Sequence, residues 1–288
     1  MTRADALLRW ATGRLTSAGT ASPGPEARTL LGHVLDVPPV RLALVGDVDA
    51  VPAERFAECV ERRAAGEPVQ HITGRAYFRN VEVAVGPGVF VPRPETEVMT
   101  GWVIERAREA EAPVVVELCA GSGAISLAIR DECPAADVHA VELSDQALAW
   151  ALANLADRGV DLRQGDMADA FHDLDGRVDL VVANPPYVPL EAWASVAADV
   201  RDHDPALALW SGDDGLDATR VVARVAARLL RPGGWVASEH AEVQADSAPQ
   251  VFVDSGLFDR VSDRRDLAGR PRFVTARRAA PSWGGMAG

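Results

Sequence analysis

Asn184-Pro185-Pro186-Tyr187 is the stretch of this chain best equipped for chemistry. It follows a buried-strand run (Val178, Leu180, Val181, Val182) and so leaves the end of a strand, where open α/β sheets bind their ligands. Two consecutive prolines remove two N–H donors and stiffen the turn, which leaves backbone carbonyls as fixed acceptors. Beside them stand an amide, Asn184, and an aromatic face, Tyr187. The set suits a planar group bearing –NH2: acceptors hold its two hydrogens while a ring stacks on its plane. Such a nitrogen is a poor nucleophile until it is oriented and its hydrogens are drawn into hydrogen bonds. Taken alone, the tetrapeptide is also compatible with an ordinary proline-rich turn, and its surroundings decide.

Those surroundings begin upstream. Val114-Val115-Val116-Glu117-Leu118 reads as a strand, Cys119-Ala120-Gly121-Ser122-Gly123 as a turn, and Ala124–Ile129 as the start of a helix. Strand, glycine turn and helix N-terminus form a nucleotide-type cradle, because glycine lets the backbone approach a ligand with no Cβ in the way. About twenty residues on, a second strand (Val138, Ala140, Val141) ends at Glu142, placed to take the two hydroxyls of a ribose. The third glycine of a dinucleotide fingerprint is missing, and no Gly-Lys-Ser/Thr follows as in a phosphate loop. With Glu142 after the next strand and Asn-Pro-Pro-Tyr after the fourth, the pattern favours an adenosyl cofactor without a pyrophosphate. That describes S-adenosylmethionine.

From about residue 26 to 278 the chain resembles the release-factor glutamine methyltransferases, which N5-methylate the glutamine of the Gly-Gly-Gln motif in class-1 peptide chain release factors. The resemblance rests on the Gly-Ser-Gly loop, Glu142, Gln164-Gly165-Asp166, the Asn-Pro-Pro-Tyr loop and Pro232-Gly233-Gly234. More restricted is Phe90-Val91-Pro92-Arg93-Pro94-Glu95-Thr96-Glu97, which follows Tyr77-Phe78. Glu26-Ala27-Arg28, Leu30-Leu31 and the stretch Gly66–Ile72 resemble the family's substrate-binding domain, and Asp266–Val274 its closing strand. The resemblance implies an α/β fold: a seven-stranded, mostly parallel, Rossmann-like methyltransferase sheet with a small N-terminal helical domain.

Carried onto this chain, it implies Asn184, Pro185 and Tyr187 as catalytic residues. Cys119, Ala120, Gly121, Ser122, Gly123, Glu142, Asp166, Met167 and Asn184 would hold the cofactor. Asn184, Pro185, Pro186, Tyr187, Phe90 and Arg93 would hold the substrate, with Phe90, Val91 and Pro92 walling the cleft. Arg93 and Glu95 either shape that cleft or pair with each other. Glu239-His240, at the end of another strand, reads as structural hydrogen bonding. Two positions depart from the family pattern. Cys119 replaces a glycine, so the turn should survive with slightly altered geometry. Met167 stands where an aromatic is frequent and can still cover an adenine face.

The chemistry so implied is direct transfer of a sulfonium methyl to an amide nitrogen, with Asn184 and the Pro185 carbonyl accepting the amide hydrogens. A ribosomal-protein glutamine methyltransferase would share it. A nucleic-acid amino-methyltransferase would share the catalytic loop, and a non-catalytic cofactor-binding protein would share only the cradle.

Composition narrows these choices. The chain has 288 residues, 48% of them apolar, which is room for one large domain or a large and a small one. Net charge is −13, and all 29 basic residues are arginine. A nucleic-acid enzyme must neutralise phosphates, and no Arg-rich segment is present to do so; Arg62-Arg63 and the set Arg260, Arg264, Arg265 read as solvated faces. The acidic surface suits a basic protein partner instead. Cys59, Cys119 and Cys133 are scattered without metal-ligand spacing, as are the six histidines, so neither a disulfide framework nor a metal site is expected. No apolar run is long enough to span a bilayer and no signal-peptide core opens the chain, so a cytoplasmic protein is expected. A monomer is expected too.

Periodicity sets the organisation. Residues 1–75 read as a helical substrate-binding domain, with Leu8, Ala11 and Leu15, then Leu30, Leu31, Val34 and Leu35, then Phe56 and Val60 facing inward. Residues 76–92 alternate (Val81, Val83, Val85) and read as a β-hairpin linker. Residues 93–278 alternate strand and helix and form the methyltransferase domain. Within it Asp145 should cap a helix carrying Leu148, Leu152 and Leu155 and closing at Gly159, and two late strands should form an antiparallel edge pair. Residues 279–288 are expected to be a disordered tail.

Overall fold

The computed structural model of the chain describes residues 1–195 and 205–280. They divide into two units: one of Met1–Arg75 with Val85–Pro87, the other made of the rest.

The first unit is helical. Helices α1 (Ala4–Ser17), α2 (Pro23–Leu35), α3 (Ala50–Ala64) and α4 (Val69–Thr73) surround Ala11, Leu15, Leu30, Leu31, Phe56 and Val60. A two-residue ladder joins β1 (Thr2–Arg3) to β2 (Asp47–Val48). Of the pair Arg62-Arg63, Arg62 is solvated, with a side chain 50% exposed, and Arg63 is not. Arg63 is only 12% exposed and pairs with Glu26 across α2 and α3 at 2.5 Å, while Arg62 pairs with Glu67.

The second unit begins with a hairpin, β3 (Arg75–Phe78) and β4 (Val81–Ala84), followed by helix α5 (Pro94–Ala107). Its sheet contains β5 (Val114–Leu118), β6 (Asp137–Glu142), β7 (Val160–Gln164), β8 (Val178–Ala183), β9 (Leu230–Glu239), β10 (Phe258–Arg265) and β11 (Pro271–Arg278). Their order is β10-β11-β9-β8-β5-β6-β7. The strands from β7 to β9 in that order are parallel, and β11 runs antiparallel to both β9 and β10. The expected seven-stranded, mostly parallel sheet is therefore present, with its antiparallel edge pair.

Parallel strands covered on both faces are mostly apolar, as β5 and β8 are apart from Glu117 and Asp179. The helix Asp217–Leu229 packs on β8 and β9, and its Val222, Val225, Ala226 and Leu229 share one core cluster with Val116, Leu118, Val181 and Val236. Helix α6 (Ala124–Glu132) follows β5, and α7 (Asp145–Leu155) follows β6. Two local expectations fail at α7, its cap and its end, which falls at Leu155 rather than Gly159. Ser144, not Asp145, is the cap, its hydroxyl accepting the Ala147 N–H at 3.3 Å. The inward face is Ala147, Ala151 and Leu155, and Leu152 is 55% exposed.

Of the expected disordered tail, Ala279 donates its N–H to the Leu257 carbonyl at 3.1 Å, and residues 281–288 lie outside the described residues.

Candidate active site

Chain order places β6 on one side of β5 and β8 on the other, so the strand order reverses at β5. A crevice at the carboxyl ends of such strands is the ordinary ligand site of an open α/β sheet. Register makes the crevice specific. Val141, Leu118, Ala183 and Ser238 are neighbours across β6, β5, β8 and β9. One residue further along each strand come Glu142, Cys119, Asn184 and Glu239. Four positions far apart in the chain thus share one row at the sheet's edge.

The Glu142 end of that row is built around a carboxylate. Glu142 is 7% exposed and accepts backbone N–H groups from Gly121 at 2.7 Å and Ser144 at 2.8 Å. Burial pushes its carboxyl above the ordinary range, and these N–H donors oppose the shift. Gly123 (φ +79°) caps α6, where the left-handed backbone favours glycine and a Cβ would lie 2.9 Å from a Leu155 methyl and displace it. At Gly121 (φ +57°) a Cβ would meet nothing within 4 Å, so the loop opens onto space on that side.

Cys119 adopts φ +61°. Cys119, expected to stand in place of a glycine, therefore takes a left-handed conformation, at a cost of about 1–2 kcal/mol. Its Sγ lies 3.4 Å from Met167 Sδ, which brings the two departures from the family pattern into contact. Burial and the nearby carboxylates push the Cys119 thiol well above its usual range, so it stays protonated. Ala120 is tied to Val141 by a backbone hydrogen bond of 3.0 Å. The Ser122 carbonyl accepts from Asn154, which also exchanges two hydrogen bonds with the Ala84 backbone and so fastens the β3–β4 hairpin to the loop. Asp166 caps the short turn Met167–Asp169, accepting the Ala168 N–H at 2.8 Å.

Beneath the loop lies a residue without an assigned role in the sequence reading. Glu117 is 1% exposed and accepts both the Ser126 N–H, at 2.9 Å, and the Ser126 hydroxyl. It thereby satisfies one of the orphan donors in the first turn of α6. Burial pushes its carboxyl up to about 8.

The Asn184 end carries the amide and the tyrosine. Pro185 is buried; Asn184, Pro186 and Tyr187 are half-buried. Asn184 Nδ2 donates to Thr96 Oγ1 at 3.4 Å, Thr96 Oγ1 donates to Glu239 Oε2 at 2.6 Å, and Tyr187 Oη donates to Glu239 Oε1 at 3.3 Å. Glu239 is 1% exposed, and burial raises its carboxyl to about 7. The structural hydrogen bonding expected of Glu239 is thus present, and its partners are Tyr187 of the Asn-Pro-Pro-Tyr loop and Thr96 of α5. Thr96 belongs to the restricted Pro-Arg-Pro-Glu-Thr-Glu segment, whose link to the Asn-Pro-Pro-Tyr loop is this contact.

Of the other residues in that segment, Arg93 lies over the Phe90 ring at 4.9 Å, while Glu95 pairs with Arg270 at 3.0 Å. Gln244 holds the far side of the loop. Its Nε2 donates to the carbonyls of Tyr187, Asp214 and Gly215 at 3.1 to 3.2 Å. Among the described residues no cluster of three or more His, Cys, Asp or Glu side chains could hold a metal ion, and no helix is long and apolar enough to cross a membrane.

Known proteins match both units. Residues 6–74 match the PrmC N-terminal domain and residues 80–199 the methyltransferase small domain. A release factor glutamine methyltransferase of Streptomyces coelicolor is 54% identical over 94% of this chain and 96% of its own length. One of Mycolicibacterium smegmatis is 43% identical over 98% of this chain and its entire length. A 4-amino-L-phenylalanine/4-methylamino-L-phenylalanine methyltransferase of Streptomyces pristinaespiralis is 43% identical over 88% of each chain. Identity at this level over nearly the full length makes the chain a member of the release factor glutamine methyltransferase family.

Proposed function

We propose that this protein transfers a methyl group from S-adenosylmethionine to the side-chain N5 of the glutamine in the Gly-Gly-Gln motif of class-1 peptide chain release factors. Support comes above all from the single row that holds Glu142, Cys119, Asn184 and Glu239. A buried anionic acceptor and a loop open at Gly121 stand at one end, and an oriented amide stands at the other.

The residues at the first end fit the cofactor. Glu142 spends one lone pair of each oxygen on Gly121 and Ser144, and a carboxylate has acceptor capacity left for two ribose hydroxyls. Met167 and Asp166 follow β7 beside Cys119 and would line the adenosyl group. When bound, the cofactor supplies an electrophilic methyl on a sulfonium.

The chain's own residues do the rest. Asn184 Nδ2 faces Thr96, and its Oδ1, which carries no hydrogen bond among the described residues, accepts one substrate amide hydrogen. The Pro185 carbonyl accepts the other, and the Tyr187 ring covers the amide plane. The nitrogen is thereby aimed at the methyl, and orientation of this kind accounts for most of the rate. Fixed acceptors also match the positive charge that develops on nitrogen. The proton lost after transfer leaves to water.

Residues 1–75 act as the substrate-binding domain, residues 76–92 as a hairpin linker, and Phe90 and Arg93 line the substrate side. The protein works as a cytoplasmic monomer on a protein partner rather than on nucleic acid.

The testing experiment offers labelled S-adenosylmethionine with an intact class-1 release factor, a ribosomal protein, free glutamine, duplex DNA or 4-amino-L-phenylalanine, whose planar –NH2 makes it the informative small molecule. Label confined to the release factor supports the proposal. Label in DNA, or equal rates on a small molecule, overturns it.

A further inference from the structure

An asparagine side chain can present either end of its amide, since oxygen and NH2 are alike in size and differ only in what they hydrogen-bond. The reaction requires the oxygen. We propose that Thr96 and Glu239 are positioning residues for methyl transfer: Glu239 commits the Thr96 hydroxyl proton, so that Thr96 Oγ1 accepts from Asn184 Nδ2 and turns Asn184 Oδ1 toward the substrate. The inference rests on the role given to Asn184 above.

The order of donors is forced. Thr96 has one hydroxyl proton, and an ionised carboxylate only accepts. The proton therefore goes to Glu239 Oε2, at 2.6 Å, and Tyr187 Oη donates to the other oxygen at 3.3 Å. Reversing the Asn184 amide would set Oδ1 against Thr96 Oγ1 with no proton between them. Thr96 and Glu239 are both buried, which removes water as an alternative partner. One carboxylate thus orients Asn184 through Thr96 and holds Tyr187 directly, although Thr96 and Glu239 are separated by 143 positions in the chain.

Protonation of Glu239 would release the order. A neutral carboxyl can donate to Thr96, Thr96 can then donate to Asn184 Oδ1, and the amide turns over. The groups around Glu239 are Thr96 and Glu95 on α5, Tyr187 on the catalytic loop, and Arg272 on β11; the neighbouring His240 is engaged with Asp263. Burial raises the Glu239 carboxyl most and Glu95 adds to this, while Thr96, Arg272 and Tyr187 oppose, leaving it at about 7. Turnover should therefore be full above about pH 7 and fall as pH drops through it.

Two measurements test this on the full chain. In the first, kcat and KM are measured with the release factor for E239Q, T96V and T96S. Gln offers one acceptor where Thr96 and Tyr187 need two, so E239Q should lose kcat by roughly 10- to 100-fold with little change in KM for S-adenosylmethionine. It should also lose the pH dependence near 7. T96V should behave alike, and T96S, which keeps the hydroxyl, should restore turnover to within a few-fold.

The second follows side-chain NH2 signals by 15N NMR. With 15N-asparagine labelling only the three asparagines, Asn80, Asn154 and Asn184, contribute, and the five glutamines are silent. The Asn184 signal should titrate near pH 7 in the parent and not in E239Q or T96V. An active parent whose variants keep kcat and pH profile overturns the inference, as does an Asn184 signal blind to Glu239. A parent that does not methylate release factors, yet shows the coupled titration, overturns the assigned reaction and leaves the positioning in place.

Discussion

Glu142, the last residue of β6, accepts the backbone N–H of Gly121 at 2.7 Å, so the acid after one strand and the turn after its neighbour form a single unit. The contact exists because Leu118 and Val141 are paired in register, which brings the two strand ends side by side. A carboxylate proposed to grip a ribose is thus also the brace of the glycine turn.

Removing that brace should weaken cofactor binding. Glu142→Ala takes a charged acceptor from two ribose hydroxyls, worth roughly 1.5–3 kcal/mol, and frees the Gly121 N–H. Calorimetry with S-adenosylmethionine should show a loss of affinity of that size. Unchanged affinity would remove Glu142 from the cofactor site.

Glu117 gives a pH test that needs no substrate. Its carboxyl is raised from 4.5 to about 8 by burial, so the folded protein keeps a proton that the unfolded chain releases over that interval. The group's contribution to stability is fully present below about pH 4.5 and is lost as pH rises through about 8, at up to about 1.4 kcal/mol per pH unit. Glu117→Gln keeps an acceptor for Ser126 and cannot ionise. Denaturation in urea should find the variant gaining on the parent between about pH 4.5 and pH 8; parallel pH dependences would show that Glu117 is ionised in both states.

Catalysis should fail selectively at Asn184. Asn184→Ala should cut turnover by roughly 10²–10³, the range for one preorganised hydrogen bond, while calorimetric affinity for S-adenosylmethionine changes much less. Turnover within a few-fold of the parent would show that the amide oxygen is not the acceptor.

Legibility in the sequence followed range. Asn184–Tyr187, Cys119–Gly123 and Glu142 could be read because each depends on a strand end and a few adjoining residues. The parallel sheet was readable for the same reason, since buried strands are predominantly apolar runs. The row that unites these residues could not be, because it depends on register between strands distant in the chain. Thr96 and Glu239 show this best: each looked local, one in a motif and one at a strand end, and only pairing of β8 with β9, with α5 packed against both, brings them to Asn184. Short-range ambiguity caused the miss at the start of α7, where Ser144 and Asp145 are both good caps. Packing of Ala147 and Ala151 against the sheet, with Leu152 turned outward, decided the face of α7.

The most direct test of the assigned reaction is tandem mass spectrometry of an intact class-1 release factor after incubation with the protein and S-adenosylmethionine. The account predicts a single added methyl on the side-chain nitrogen of the Gly-Gly-Gln glutamine, formed far faster than on a short peptide carrying the same motif. A methyl on any other residue, or an unmodified glutamine after incubation with active protein, would contradict it.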